Sequence, residues 1–183
     1  MHFKLRNATD SDRPAIANVI LAAFGEAEGR EIRDLVTDLL ADPTAQPSLS
    51  LVATAGEKVV GHVLFTSGRI RGSKQGVSAA ILAPLAVRPD YQDHGIGGRL
   101  IAEGLRRLEA AGVLLVFVLG DPGYYSRHGF SPAGIEGLDA PCSIPSEYAD
   151  AWMVQALSPG VLERVSGQVV CADALHDPKH WQE

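Results

Sequence analysis

Gln92-Asp93-His94-Gly95-Ile96-Gly97-Gly98-Arg99 is the stretch of this chain best suited to chemistry. Glycine carries no Cβ, so Gly95, Gly97 and Gly98 let the backbone approach a bound group closely. The first N–H groups of a helix have no partner inside it. Together with the helix dipole they attract an anion, above all a phosphate. Two commoner phosphate motifs fit badly. A dinucleotide fingerprint needs a third glycine where Leu100 stands, and a P-loop needs a Gly-Lys-Ser/Thr triplet that the chain lacks. A second element, Tyr124-Tyr125-Ser126-Arg127-His128-Gly129-Phe130, places phenol hydroxyls ahead of a glycine stop. A phenol, with an ordinary pKa of about 10, stays protonated at neutral pH and can serve as a general acid.

The neighbouring elements position these groups. Ala79 to Val87 is apolar throughout and reads as a buried strand. Arg88-Pro89-Asp90-Tyr91 turns the chain. Leu100, Ile101, Leu105 and Leu108 then recur at helical spacing to about Gly112. The order strand, turn, glycine-opened helix predicts that the helix N-terminus faces the strand's end. Pro84 lies inside the strand and cannot donate to a ladder, so it marks an edge or a bulge.

Gln92 to Gly97 resembles the acyl-CoA pyrophosphate loop of the GNAT superfamily of N-acyltransferases, Gln/Arg-x-x-Gly-x-Gly/Ala. Tyr124 to Phe130 is similar to its later Phe/Tyr-Tyr-x-x-x-Gly-Phe element, and the arrangement resembles the YhbS-like predicted acetyltransferases. The sharp matches span Leu82 to Phe130. The resemblance implies one acyl-CoA N-acyltransferase domain over residues 1–183. It implies an α/β fold of mixed α+β type: a central, mostly antiparallel mixed sheet, splayed between two central strands and flanked by helices. Acetyl-CoA is the implied co-substrate, with no metal. It would be held by the backbone of Leu85, Ala86 and Val87 and by Gln92, Asp93, His94, Gly95, Ile96, Gly97, Gly98 and Arg99. Pro84 is suited to the point where the family's strands part, leaving Leu85 and Val87 free to bond the pantetheine amides. Tyr125 takes the general-acid position, and Tyr124 packs beneath the helix. Many members have Gly where Asp93 stands and Lys or Arg where His94 stands. An aspartate beside a pyrophosphate is unfavourable unless turned away. Val118 and Asp121 replace the family's usual Asn and Ala, so no pantetheine contact is expected from that segment.

The chain of 183 residues, 46% of them hydrophobic, is long enough for one domain with a substantial core. A net charge of −6 gives no reason to expect a nucleic-acid partner. Cys142 and Cys171 form no metal-ligand pattern with the histidines and read as reduced thiols. No apolar signal region opens the chain and no apolar run approaches a membrane span, so a soluble cytoplasmic protein without membrane partners is expected.

In order, Phe3 to Arg6 reads as a half-buried strand. Thr9 or Asp10 caps a helix containing Pro14, which ends near Phe24-Gly25. A second helix runs from about Gly29 to Ala41 and closes at Asp42-Pro43. Ser50 to Thr54 and Val59 to Ile70 form strands joined by a tight turn, and Gly68 to Gly76 reads as a loop. His62 reads as a structural histidine, with a base role as the alternative. Val113 to Leu119 is a strand beside the first central one. Tyr124 to His128 is a short helix, and Trp152 to Leu157 and Gln168 to Cys171 are the last strands.

Glu26, Glu28, Glu31 and Asp34 cluster near the helix junction. They read either as a solvated acidic face or, by the resemblance, as the acceptor wall, with Glu26, Glu28 and Glu31 the expected substrate-binding residues. The acceptor pocket is expected from the loops at Phe24 to Arg30, Gly68 to Gly76 and Gly134 to Asp150. The implied activity is transfer of acetyl from acetyl-CoA to a primary amine of a small molecule or peptide in a ternary complex. A non-catalytic acyl-CoA-binding or regulatory module is the alternative, and a nucleotide-binding α/β domain a weaker third. Superfamily members often dimerise, so a homodimer is compatible.

Overall fold

The computed structural model describes residues 2–73 and 77–182. Strand β1 (Lys4–Asn7) leads through a single 3-10 turn into helix α1 (Arg13–Phe24). Asp12 fixes this entry: its carboxylate accepts the Thr9 N–H at 2.7 Å and pairs with the Arg6 guanidinium at 2.7 and 2.9 Å. Pro14 sits in the first turn, where a missing N–H costs nothing. Gly25, at φ 84°, ends α1 and restarts the chain at once as α2 (Glu26–Ala41). The second helix therefore begins three residues before the expected Gly29, because Glu26 and Glu28 complement the dipole of its first turn.

β2 (Leu49–Ala55) and β3 (Lys58–Ile70) form an antiparallel hairpin, and β4 (Ala79–Val87) pairs antiparallel with β3. Part of the expected loop, Gly68 to Ile70, is strand instead, because Gly68 pairs with Ala79 and Arg69 and Ile70 pair with Val170 and Val169. Lys74 to Gly76 lie outside the described residues. Helix α3 (Ile96–Ala110) crosses to β5 (Leu115–Leu119), which lies parallel to β4. Then come α4 (Pro122–Tyr125), continued by a 3-10 turn to His128, and the short strands β6 (Ser131–Pro132) and β7 (Leu138–Asp139). β8 (Trp152–Ala156), α5 (Val161–Arg164) and β9 (Gly167–Val170) complete the regular elements apart from 3-10 turns. Among the described residues nine strands form a mixed sheet in the order β1-β2-β3-β4-β5-β8-β6, with β9 on the far end of β3 and β7 beside it. The β4–β5 and β7–β9 pairs are parallel and the rest antiparallel.

Side-chain alternation gives each sheet face its own core. Leu51, Val63, Phe65, Leu100 and Ile101 pack between the sheet and α3. Ile20, Leu39, Leu64, Phe117 and Trp152 pack on the face covered by α1 and α2. The C-terminal tail also packs there. Trp181, 2% exposed, meets the Trp152 ring edge-on at 5.4 Å, and Trp152 stacks on Phe117 at 5.1 Å. Both indole N–H groups donate to backbone carbonyls, Trp152 to Leu138 and Trp181 to Leu175. Asp42 and Thr44 accept the Ala174 and Asp173 N–H groups, tying the tail to the end of α2.

His62 is fully buried on this face, its Nε2 3.0 Å from Ser50 Oγ. Nδ1 has no hydrogen-bond partner among the described residues, and burial pulls the imidazole pKa down to about 4. Cys142 and Cys171 are both free thiols. Among the described residues no group of three or more His, Cys, Asp or Glu could hold a metal ion, and no helix is long and apolar enough to cross a membrane.

Candidate functional site

The two central strands part where the sequence places its proline. β4 and β5 pair from Ala79–Leu115 to Leu82–Val118 and no further. On the other side of β4, Ala83 and Pro84 together face the single residue Leu64, so the strand carries one extra residue there. The bulge swings the end of β4 away from β5 and opens a slot. Beyond it the Arg88 N–H donates to Val60 C=O at 2.9 Å. The period of two in an antiparallel ladder then turns the N–H and C=O groups of Leu85 and Val87 away from β3, toward the slot. Ala86 faces the opposite way: its polar groups belong to the ladder and its side chain is buried under α1. The Val87 carbonyl is already taken, because Gln92 donates its amide N–H to it at 3.0 Å. Gln92 thus braces the loop against the strand.

Two cavities flank the slot, and Leu85 lines both. The one beneath the loop, about 520 Å³, is walled by Tyr91, Gln92, Asp93, Gly95 to Gly98, Tyr124, Arg127 and His128. Gly95, at φ 78°, caps α3, and its carbonyl accepts the first helical bond from Arg99 at 3.1 Å. The N–H groups of Ile96, Gly97 and Gly98 are left without an intrahelical acceptor, as an anion site requires. Close approach by protein, rather than by ligand alone, accounts for two of the glycines. A Cβ on Gly97 would collide with the Tyr124 hydroxyl, and one on Gly98 would lie 2.8 Å from His128 Cε1. Tyr124 therefore packs against the opening turn of α3, not beneath the helix.

His94 and Arg99 do not line this cavity. The His94 Nδ1–H donates to Gln92 C=O at 2.8 Å, which turns the ring outward. The guanidinium at the cavity is that of Arg127, which lies 5.4 Å over the Tyr124 ring. Burial raises the Tyr124 pKa against the opposing charge of Arg127. Burial first, then Arg127, lowers that of His128. The sequence reading passed over Arg127 as a motif spacer. Its signal was helical spacing, which puts residues 124, 127 and 128 on one face.

The second cavity, about 400 Å³, lies across the slot. Ile81 to Leu85 and Val118 to Asp121 form its floor. Phe24, Glu28, Glu31, Ile32 and Leu35 form one wall, and Tyr125 stands beside the strand ends. Asp121 caps α4, accepting the Gly123 N–H at 2.9 Å. Tyr125 is 9% exposed and held edge-on between Tyr124, at 5.0 Å, and Phe130, at 5.7 Å. Its ring lies so close over Gly120 that any Cβ there would overlap it. Of the three glutamates, Glu28 and Glu31 reach the cavity. Glu26 points outward and pairs with Arg30 at 2.6 Å. Gly134 to Asp150 does not line this cavity and borders a separate one. The remaining wall is the C-terminal tail, through Leu175, Lys179, His180 and Trp181. The sequence reading missed it because the tail has no periodicity; its one signal was a tryptophan in an otherwise polar terminus.

The sequence pattern of the acetyltransferase (GNAT) domain matches residues 4–133. The chain is 44% identical over 173 residues to the uncharacterized N-acetyltransferase YjhQ of Escherichia coli K12, covering 94% of this chain and 93% of that one. It superposes on the crystal structure of Escherichia coli YhbS in complex with CoA with a TM-score of 0.85, at 30% identity over 97% of this chain and 93% of that one. A Brucella melitensis GNAT acetyltransferase in complex with acetyl-CoA superposes with a TM-score of 0.72, at 32% identity over 95% and 98% of the two chains.

Proposed function

Because the chain belongs to the GNAT acetyltransferase family, we propose that it moves an acetyl group from acetyl-CoA to a primary amine of a small molecule or peptide in a ternary complex. The observation that carries this reading is the meeting of two unlike cavities at Leu85. One has the anion-binding start of α3 and Arg127, and the other has Tyr125 and the Glu28–Glu31 wall. The residues present suit CoA. The N–H groups of Ile96, Gly97 and Gly98 would take the pyrophosphate, with Arg127 adding charge, and each such bond contributes about 1.5–3 kcal/mol. The slot-facing backbone of Leu85 and the Val87 N–H would take the pantetheine amides as an added strand does. CoA and acetyl-CoA in the two solved relatives support this assignment.

Glu28 and Glu31 hold the acceptor's ammonium by charge, and the apolar floor excludes water. Tyr125 gives its hydroxyl proton to the leaving sulfur. Thiol release from acetyl-CoA, measured across a panel of primary amines alongside a calorimetric CoA titration, tests the reading. Release is expected with one amine class. Tyr125→Phe is expected to lower kcat about 100-fold or more while the CoA Kd stays unchanged. CoA binding without release on any amine would leave the binding module as the reading, and absence of CoA binding would remove both.

A further inference from the structure

The acceptor cavity is closed by a part of the chain with no place in the two sequence motifs. Pro178 to Trp181 form one 3-10 turn, begun by Asp177, whose side chain accepts the Lys179 N–H at 3.1 Å. Trp181 is wedged against Trp152, and its indole N–H is bonded to Leu175. The residue before it, His180, is thereby held at the wall of the cavity that also contains Tyr125, Glu28 and Glu31. An imidazole on a fixed turn, lining one cavity with two carboxylates and a phenol, divides the labour that amine acylation needs. Carboxylates attract the ammonium, a base with a pKa near the working pH removes its proton, and an acid serves the leaving group.

We propose that His180 is the general base of the acceptor site, an assignment that rests on the transferase reading above. His180 accepts one proton from the ammonium held by Glu28 and Glu31. The freed lone pair forms the C–N bond at the thioester carbonyl carbon as the C=O π pair moves onto oxygen. When that pair returns, the C–S bond breaks and the sulfur takes the Tyr125 proton. The amide nitrogen's surplus proton replaces the one Tyr125 lost, through solvent, and His180 releases its own to water.

The groups facing His180 fit this role. Burial, then the neighbouring Lys179, lower its pKa, while Asp177 on the same turn and Glu31 and Asp38 on α2 oppose them. The net direction is downward, so the ring is the neutral, proton-accepting form at pH 7.

The test is thiol release from acetyl-CoA by the full chain with an alkyl monoamine, an α,ω-diamine and a lysine-containing peptide, followed as kcat/KM against pH. The wild type is expected to show an ascending limb with its midpoint below 6.5. In His180→Gln, kcat/KM at pH 7 is expected to fall about 100-fold and the limb to vanish, with the CoA Kd and melting temperature unchanged. Added imidazole is expected to restore turnover to His180→Ala. A wild-type profile without that limb overturns the assignment, whatever the variants do. So does a His180→Gln loss under threefold, or a loss that leaves the limb in place, and in either case the transferase reading stands. Absence of thiol release from the wild type with every amine overturns the transferase reading itself, and this inference with it.

Discussion

Asp93 is the only non-glycine among the described residues with a left-handed backbone, at φ 63°. That conformation accounts for the glycine usual at this position in the family: an L-residue there is strained, and aspartate is among the few that tolerate it. Asp93 also lines the cavity to which the proposed function assigns the pyrophosphate. Removing one such charge near the surface is worth about 1 kcal/mol. Asp93→Gly is therefore expected to tighten CoA binding about fivefold by calorimetry. The melting temperature should change little, because relief of strain is offset by the greater freedom of glycine in the unfolded chain. An unchanged or weaker Kd would mean that the carboxylate is turned from the phosphates when CoA is bound. The glycine-opened start of α3 was legible because its residue types act through local backbone. That Arg127, rather than His94 or Arg99, lines the cavity was not, since this depends on which side chains fold over it.

At the scale of elements, the loop's precision comes from α4 seated against the first turn of α3. The Tyr124 hydroxyl occupies the space a Cβ on Gly97 would need; the next atoms, Tyr124 Cζ and Leu85 Cδ2, are both 3.7 Å away. Gly97→Ala is expected to cost about 1–3 kcal/mol, as overpacking does, and to weaken CoA binding by displacing the free N–H groups. Tyr124→Phe removes the colliding oxygen and leaves ordinary contact distances. The double variant Tyr124→Phe/Gly97→Ala should therefore recover most of the loss. Equal losses in single and double variants, by chemical denaturation, would show that the two elements do not meet this way. The elements themselves were largely readable, since helical and alternating periodicities report local geometry. The start of α2 and the glutamates that line the second cavity were not. Gly25 let α2 begin without a spacer, and only the packing of α1 on α2 decides which glutamates face inward.

At the scale of the whole molecule, stability depends on an ionisable side chain buried on β3, across from Ala86 of β4. His62 lies fully inside the face covered by α1, with its folded pKa near 4 against an ordinary value of 6.5. The unfolded chain binds this proton first, so stability is fully present above pH 6.5 and is lost as pH falls toward 4. Between pH 7 and 5 the loss is about 2 kcal/mol from this group alone. His62→Gln is expected to flatten that part of the stability profile, measured by urea denaturation; parallel slopes in the two proteins would place the titration elsewhere. The sequence by itself determined the order of the strands and helices other than β6, β7 and α5, the glycine-opened start of α3 and the place of Tyr125 in a short helix. Each of these is a matter of residue type and spacing along a few turns of backbone. Only the tertiary structure decided that the bulge at Ala83–Pro84 opens the sheet, that Glu26 stays outside while Glu28 and Glu31 enter the cavity beside Tyr125, and that the C-terminal turn brings Lys179 and His180 to the same cavity. Those outcomes rest on contacts between residues far apart in the chain, such as Trp181 on Trp152 and Ala174 on Asp42, for which local patterning carries no signal.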